Sequence, residues 1–328
     1  MIIQTITGSL TRGKYYKTRI ILLKTQKNII ATLAYFDMFD YPLTYQEIFL
    51  FIQNKLDFET LKTTLQALVN SGMIFQFEEF YSLKNDPLIA SRRRMGNQKA
   101  AGLIAKAHTI GRFLIQFPYV RGIAVSGSLS KNFADDHSDI DFFIITKQNR
   151  LWIARTCMHC FKKLTFLVKK QHYYCMNYYI DEQELEIVEK NIYTAIELAT
   201  LIPLEGNKAF AGLYEANLWV KAFLPHHFNQ MELSRPLRKN KLKNIGEKLF
   251  NNAFGNWMEN ILMKMTAKRW NQKTLMKKLN ARGMVMSMAA SKHFAKPNPK
   301  NFQFKLIEKY QNKLADLLKH ITAEEFNN

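Results

Sequence analysis

With 328 residues and 47% hydrophobic content, the chain is too long for one comfortable core and too apolar for a mainly disordered protein. A formal net charge of +20 points to a polyanionic partner: nucleic acid, nucleotide phosphates or an acidic membrane surface. No stretch approaches the roughly 18 apolar residues needed to span a bilayer, no signal peptide is legible and three cysteines make no disulfide scaffold, so a cytoplasmic protein with no membrane partner is expected.

Residues 1–22 read as a tail. From residue 23, Ile29, Ile30, Leu33, Ala34 and Phe36 fall at helical spacing, and Pro42 stops that helix. Thr44 followed by Glu47 forms a capping box that starts a second helix. Asp57 is the N-cap of a third, which carries Leu61, Leu65, Leu68 and Val69 and ends before Gly72. "MIFQF" and "FYSL", parted by Glu78 and Glu79, read as a hairpin. Three helices and a hairpin over 23–84 resemble a winged helix-turn-helix. A connecting helix over 85–118 follows, with Arg92, Arg93 and Arg94 near its start and Pro118 closing it. Strands are expected at 121–126, 139–146 and 172–180, with a helix at 150–168. Beyond "ATLIPLEGN" the chain reads as helical, over 207–222, 241–279 and 301–319. The domains expected are therefore 23–84, 119–205 and a helical region 206–328.

"GIAVSGSLSKNFADDHSDIDFFIIT", residues 122–146, carries the chemistry. Within a strand Asp139 and Asp141 point to one side while Ile140, Phe142 and Ile144 face the core. Neighbouring carboxylates repel, and a divalent cation, Mg²⁺ by its preference for carboxylate oxygens, offsets that repulsion. Upstream, a strand ends in Ser126-Gly127-Ser128. Gly127 permits a sharp turn and close approach to the backbone, while the following amides and the Ser128 hydroxyl suit phosphate. Lys131, one helical turn on, reaches the same phosphates.

Val125, Gly127-Ser128, a ten-residue spacer and Asp139-Ile140-Asp141-Phe142, with Ser138 before the first aspartate, resemble the signature of the nucleotidyltransferase superfamily. The resemblance covers roughly 119–182 and is nearest to the minimal nucleotidyltransferases and the aminoglycoside adenylyltransferases. It implies an α/β (α+β) nucleotidyltransferase domain with a mixed sheet. The reaction implied is transfer of a nucleoside monophosphate from an NTP, with ATP the expected one, to an acceptor hydroxyl, releasing pyrophosphate. Under it Asp139 and Asp141 hold the metals, Gly127 and Ser128 the β- and γ-phosphates, and Lys131 the leaving pyrophosphate. Family members add a third carboxylate from a later strand. Here that strand, "HYYCMNYYI", offers only Asn177, and Asp181 at its end is the candidate substitute, ahead of Glu182 and Glu184.

Other signals are weighed against plainer readings. "CMHC" (157–160) with His172 and Cys175 has superficially zinc-like spacing, yet 157–160 lies on an amphipathic helix, and core cysteines are expected. Glu78 and Glu79 at the hairpin tip argue against standard DNA docking. Arg92–Arg94, Lys169-Lys170 and the basic stretch 235–282 either line a nucleic-acid groove, with Trp257 and Trp270 stacking on bases, or are solvated helix faces with the tryptophans in the core; the second is preferred. The acceptor stays open among small molecule, protein and nucleic acid. The rival to the enzyme is a catalytically weakened regulator that binds nucleotide and associates with DNA or protein through 23–84.

Overall fold

The computed structural model describes residues 23–167, 171–227, 241–277, 288–297 and 300–326. The expected tail, the lysine pair 169–170 and parts of the basic stretch 235–282 lie outside the described residues. The chain divides into two compact units: residues 1–94 with 221–229 and 305–328, and residues 95–220 with 230–304.

In the first unit α1 spans 23–37, followed by β1 (Leu43–Thr44), α2 (Tyr45–Phe51), α3 (Phe58–Asn70), β2 (Phe75–Phe77) and β3 (Phe80–Ser82). The local signals act as expected. The Thr44 hydroxyl accepts from the Glu47 amide at 3.3 Å while Glu47 Oε2 accepts from the Thr44 amide at 2.9 Å, closing the capping box. Asp57 accepts from the Thr60 amide at 2.8 Å, and α3 stops before Gly72. Ile29, Leu33, Ile48, Leu61, Leu65 and Phe80 form the core, and the strands pair in the order β1-β3-β2, all antiparallel.

The arginine triplet is spent inside this unit. Arg93, 2% exposed, donates to both Glu47 oxygens at 2.6 and 3.1 Å and to the Pro42 carbonyl, under the Tyr41 ring. Arg92 pairs with Asp40 and Arg94 with Glu78. These cations pair with the unit's own acids, including one at the hairpin tip.

The helix α4 (Leu88–Leu114) begins in the first unit and ends in the second. There follow β4 (Val120–Ser126), α5 (Gly127–Ser130), β5 (Asp141–Thr146), α6 (Leu151–Thr165), β6 (Cys175–Asp181), α7 (Ile192–Ala199), β7 (Ile202–Glu205) and α8 (Asn207–Ala216). The chain continues through α9 (Val220–Phe223), α10 (Lys241–Leu249), α11 (Ala253–Leu275), β8 (Met288–Ala290), β9 (Phe294–Pro297) and α12 (Lys300–Phe326). The sheet order is β7-β4-β5-β6-β9-β8; β5 and β6 run parallel and every other pair is antiparallel, so the sheet is mixed as expected. Ile123, Val125, Phe142, Ile144 and Tyr179 form the core with Ala100 and Ala107 of α4, Trp152 and Met158 of α6 and Trp270 of α11. On the opposite face Gly122 lies against Ala209 and Phe210 of α8.

The C-terminal region departs from the helical reading. Two short strands at 288–290 and 294–297 extend the sheet. The expected helix 241–279 is two helices, because Asn252 accepts from the Gly255 amide at 2.9 Å and caps a new one. Trp270 is in the core as preferred, but Trp257 is 57% exposed and stacks on Phe254. No helix among the described residues is long and apolar enough to cross a membrane.

α10 docks on the β4 side of the sheet through charge. Arg121 and Glu247 form a two-pronged pair, both contacts 2.7 Å, and Lys243 Nζ donates to the Ile115 and Val120 carbonyls at 2.8 and 2.5 Å. Burial, with Arg121 adding repulsion, pushes the Lys243 ammonium down from its ordinary value of 10.5 to about 8. Between those values the unfolded chain keeps a proton that the folded chain gives up, so this group makes stability rise with pH across that window. Below about 8 the folded state carries the full cost of a buried cation, of order 3 kcal/mol. Urea unfolding at pH 7.5 and pH 10 should show this gain in the wild type relative to Lys243→Met, and equal pH dependence of the two proteins would refute it.

Candidate active site

β4 delivers the chain to a turn that only glycine fits well. Gly127 has φ +73°, and a Cβ there would sit 3.0 Å from Asp141 Oδ2. Ser126 lies opposite Asp141 in the β4–β5 pairing. The helix α5 is a single turn, with Ser128 exposed at its start. The glycine turn and one predicted carboxylate are therefore in direct apposition.

The strand begins at Asp141, so Asp139 lies two residues before it and not inside it as the alternation suggests. Between them Ile140 is fully buried, and its amide donates to the His172 carbonyl. Both acids are half-buried. They act on one neighbour: burial first, then Asp141, with Asp139 adding, pushes the Cys175 thiol up to about 12. Asp141 thus stands at the end of the sheet beside the turn, and Asp139 precedes it by two residues in the chain.

The third position is decided by a bulge. In the β5–β6 register Phe142 faces Met176 and Phe143 faces Tyr178, so Asn177 is the extra residue. A bulge re-aims its side chain, and Asn177 Nδ2 donates to Asp141 Oδ1 at 2.6 Å. Asp181 does not join the pair. It faces Thr146, five residues along β5 from Asp141 and roughly 16 Å away at the usual rise per residue. Fully buried, it accepts from the Asn149 and Gln183 amides and contacts His293 Nδ1 at 3.0 Å. Asp181 is a structural acid that ties the far end of β6 to the β8–β9 hairpin, and Glu182 and Glu184 follow it there.

Ser126, Gly127, Asp141 and Asn177 open onto a pocket of about 210 Å³, whose walls are mainly apolar and aromatic. Phe143, Tyr178 and Tyr193 line it, with two further acids that sequence reasoning missed, Glu189 and Glu197. Each is paired with lysine: Glu189 with Lys296 at 2.6 Å and Glu197 with Lys131 at 2.7 Å. Burial first, then Glu197 and Asp141, raises the Tyr193 phenol above its ordinary range, so that hydroxyl stays protonated. Lys131, expected at the phosphates, also donates to the Gly127 carbonyl at 3.1 Å.

The cysteines are free thiols, and Cys160 is exposed, which corrects the expectation of three core cysteines. Among the described residues no group of three or more His, Cys, Asp or Glu side chains is placed to hold a metal ion. One carboxylate, Asp141, stands beside a turn that a Cβ would crowd, and Mg²⁺ takes one or two protein carboxylates and completes its shell with phosphates and water. No curated protein and no solved structure matches the chain. Residues 109–203, from the end of α4 through β7, match the family model described as the nucleotidyltransferase domain, and this part of the chain is a nucleotidyltransferase domain.

Proposed function

We propose that the protein is an enzyme that transfers a nucleoside monophosphate from an NTP, ATP first among them, to an acceptor hydroxyl, with release of pyrophosphate. The observation that carries this reading is the Asp141 carboxylate set against Gly127 at the mouth of a pocket. The Gly127-Ser128 turn offers amides and a hydroxyl to the β- and γ-phosphates. Asp139 and Asp141 would hold Mg²⁺, which when bound neutralises phosphate charge and polarises the reacting oxygens. Phe143, Tyr178 and Tyr193 exclude water and offer flat faces to a base or acceptor. Residues 119–205 are the catalytic part in this reading, 23–84 a winged-helix-like accessory domain, and 206–328 contributes to the acceptor side. Calorimetric titration with non-hydrolysable ATP, with and without Mg²⁺, tests it. Metal-dependent binding is expected, and its absence refutes the enzyme.

One observation favours the rival, a nucleotide-binding regulator with weakened catalysis: an amide, which cannot take a proton, stands at Asn177. Asn177→Asp separates the two. Without metal it places a carboxylate where an amide now donates to Asp141, so repulsion lowers the unfolding temperature in EDTA. Mg²⁺ should then restore stability and bind about tenfold more tightly than in the wild type. Labelled-NTP transfer in cell extract that appears only in this variant identifies the weakened regulator.

A further inference from the structure

The pairing of Lys131 carries a consequence for how nucleotide enters. Its ammonium is held between the Gly127 carbonyl at 3.1 Å and Glu197 Oε1 at 2.7 Å, with side chains only 14% and 27% exposed. Gly127 is the turn against which Asp141 packs, and Glu197 lines the same pocket from α7. The cation that closes the turn, Lys131, is thus engaged by a pocket carboxylate. The second pair, Lys296 with Glu189, is placed differently: Lys296 lies over the Phe294 and Tyr178 rings.

We infer that the Lys131–Glu197 ion pair is a latch that an incoming triphosphate opens, with Glu197 the positioning residue that sets NTP affinity. The inference rests on the nucleotidyl-transfer reading. A lysine ammonium has three rotatable donors on a flexible stem, so it keeps the Gly127 carbonyl while turning from carboxylate to phosphate. A triphosphate brings several negative charges where Glu197 brings one, and the exchange favours the polyanion. Until that exchange, Glu197 competes for the cation, and apparent affinity falls by the fraction of protein in which Lys131 is engaged.

The test is calorimetric binding of α,β-methylene-ATP with Mg²⁺, and separately of inorganic tripolyphosphate, to the full chain. Glu197→Gln removes the competing charge but keeps an acceptor oxygen; it should tighten both ligands about five- to tenfold. Lys131→Met should weaken both by tenfold or more. The double variant should bind like Lys131→Met alone, because the latch has nothing left to hold. Should Glu197→Gln prove unstable in urea, Glu197→Asp, one methylene shorter, is expected to act in the same direction. Unchanged or weaker binding in the Glu197 variants overturns the latch while leaving the enzyme reading intact. Absence of binding to the wild type overturns both.

Discussion

Asp141→Asn is expected to abolish Mg²⁺-dependent binding of non-hydrolysable ATP and to reduce nucleotidyl transfer by about a thousandfold or more, the equivalent of losing several kcal/mol of charge stabilisation. The substitution suits the question because it isolates charge. Asparagine matches aspartate in shape, and its oxygen still accepts from Asn177 Nδ2, which now lies 2.6 Å from Asp141 Oδ1. The backbone pairing of residue 141 with Ser126 and Cys175 is untouched. Urea unfolding should therefore change little while binding is lost. Asp139→Asn, outside the strand and not part of the pocket wall, should also lose metal dependence if the two acids work as a pair. If both variants bind Mg²⁺ and nucleotide like the wild type, the acids are a solvated strand end and the proposed function is wrong.

The legible and illegible parts of this molecule divide by sequence separation. Thr44 with Glu47 and Asp57 with Thr60 lie within one helical turn, so their geometry is implied by spacing alone, and both caps form. The turn at Gly127 and the acid at Asp141 also announce themselves, because two adjacent antiparallel strands, the second starting two residues later than expected, bring Ser126 opposite Asp141. Asn177 was visible as the only short polar residue of its strand, but its aim at Asp141 comes from a register shift that no residue pattern advertises. Asp181 was misplaced for the same reason: which end of β6 meets the turn depends on the parallel register, and that register puts Asp181 beside Thr146. Glu189, Glu197 and Lys296 escaped notice because each reaches the pocket from a different later element. The strands at 288–290 and 294–297 are three and four residues long and carry a lysine and a proline, too brief for alternation to emerge. Arg92–Arg94 were read as a solvated helix face, and their pairing inside the unit was illegible because Asp40, Glu47 and Glu78 are remote in the chain.

Gly127→Ala should damage the site twice over, and a second glycine of the same backbone shape separates the two causes. At φ +73° an alanine costs about 1–2 kcal/mol in backbone strain. Its Cβ would also stand 3.0 Å from Asp141 Oδ2, so the carboxylate or the turn has to give by a few tenths of an ångström. A full 1 Å of misplacement at a reacting centre costs about a hundredfold, so a shift of a few tenths of an ångström costs roughly tenfold in productive binding and rate. Gly72 has the same φ of +73° with nothing within 4 Å of its would-be Cβ, and it lies in the first unit. Gly72→Ala should therefore show the strain alone, a loss near 1 kcal/mol in urea unfolding, with nucleotide binding unchanged. Gly127→Ala should show a comparable loss of stability together with at least tenfold weaker binding of α,β-methylene-ATP and Mg²⁺. If Gly127→Ala binds nucleotide as the wild type does, the close approach of turn and carboxylate is a packing detail, and the phosphates of any ligand must be held elsewhere.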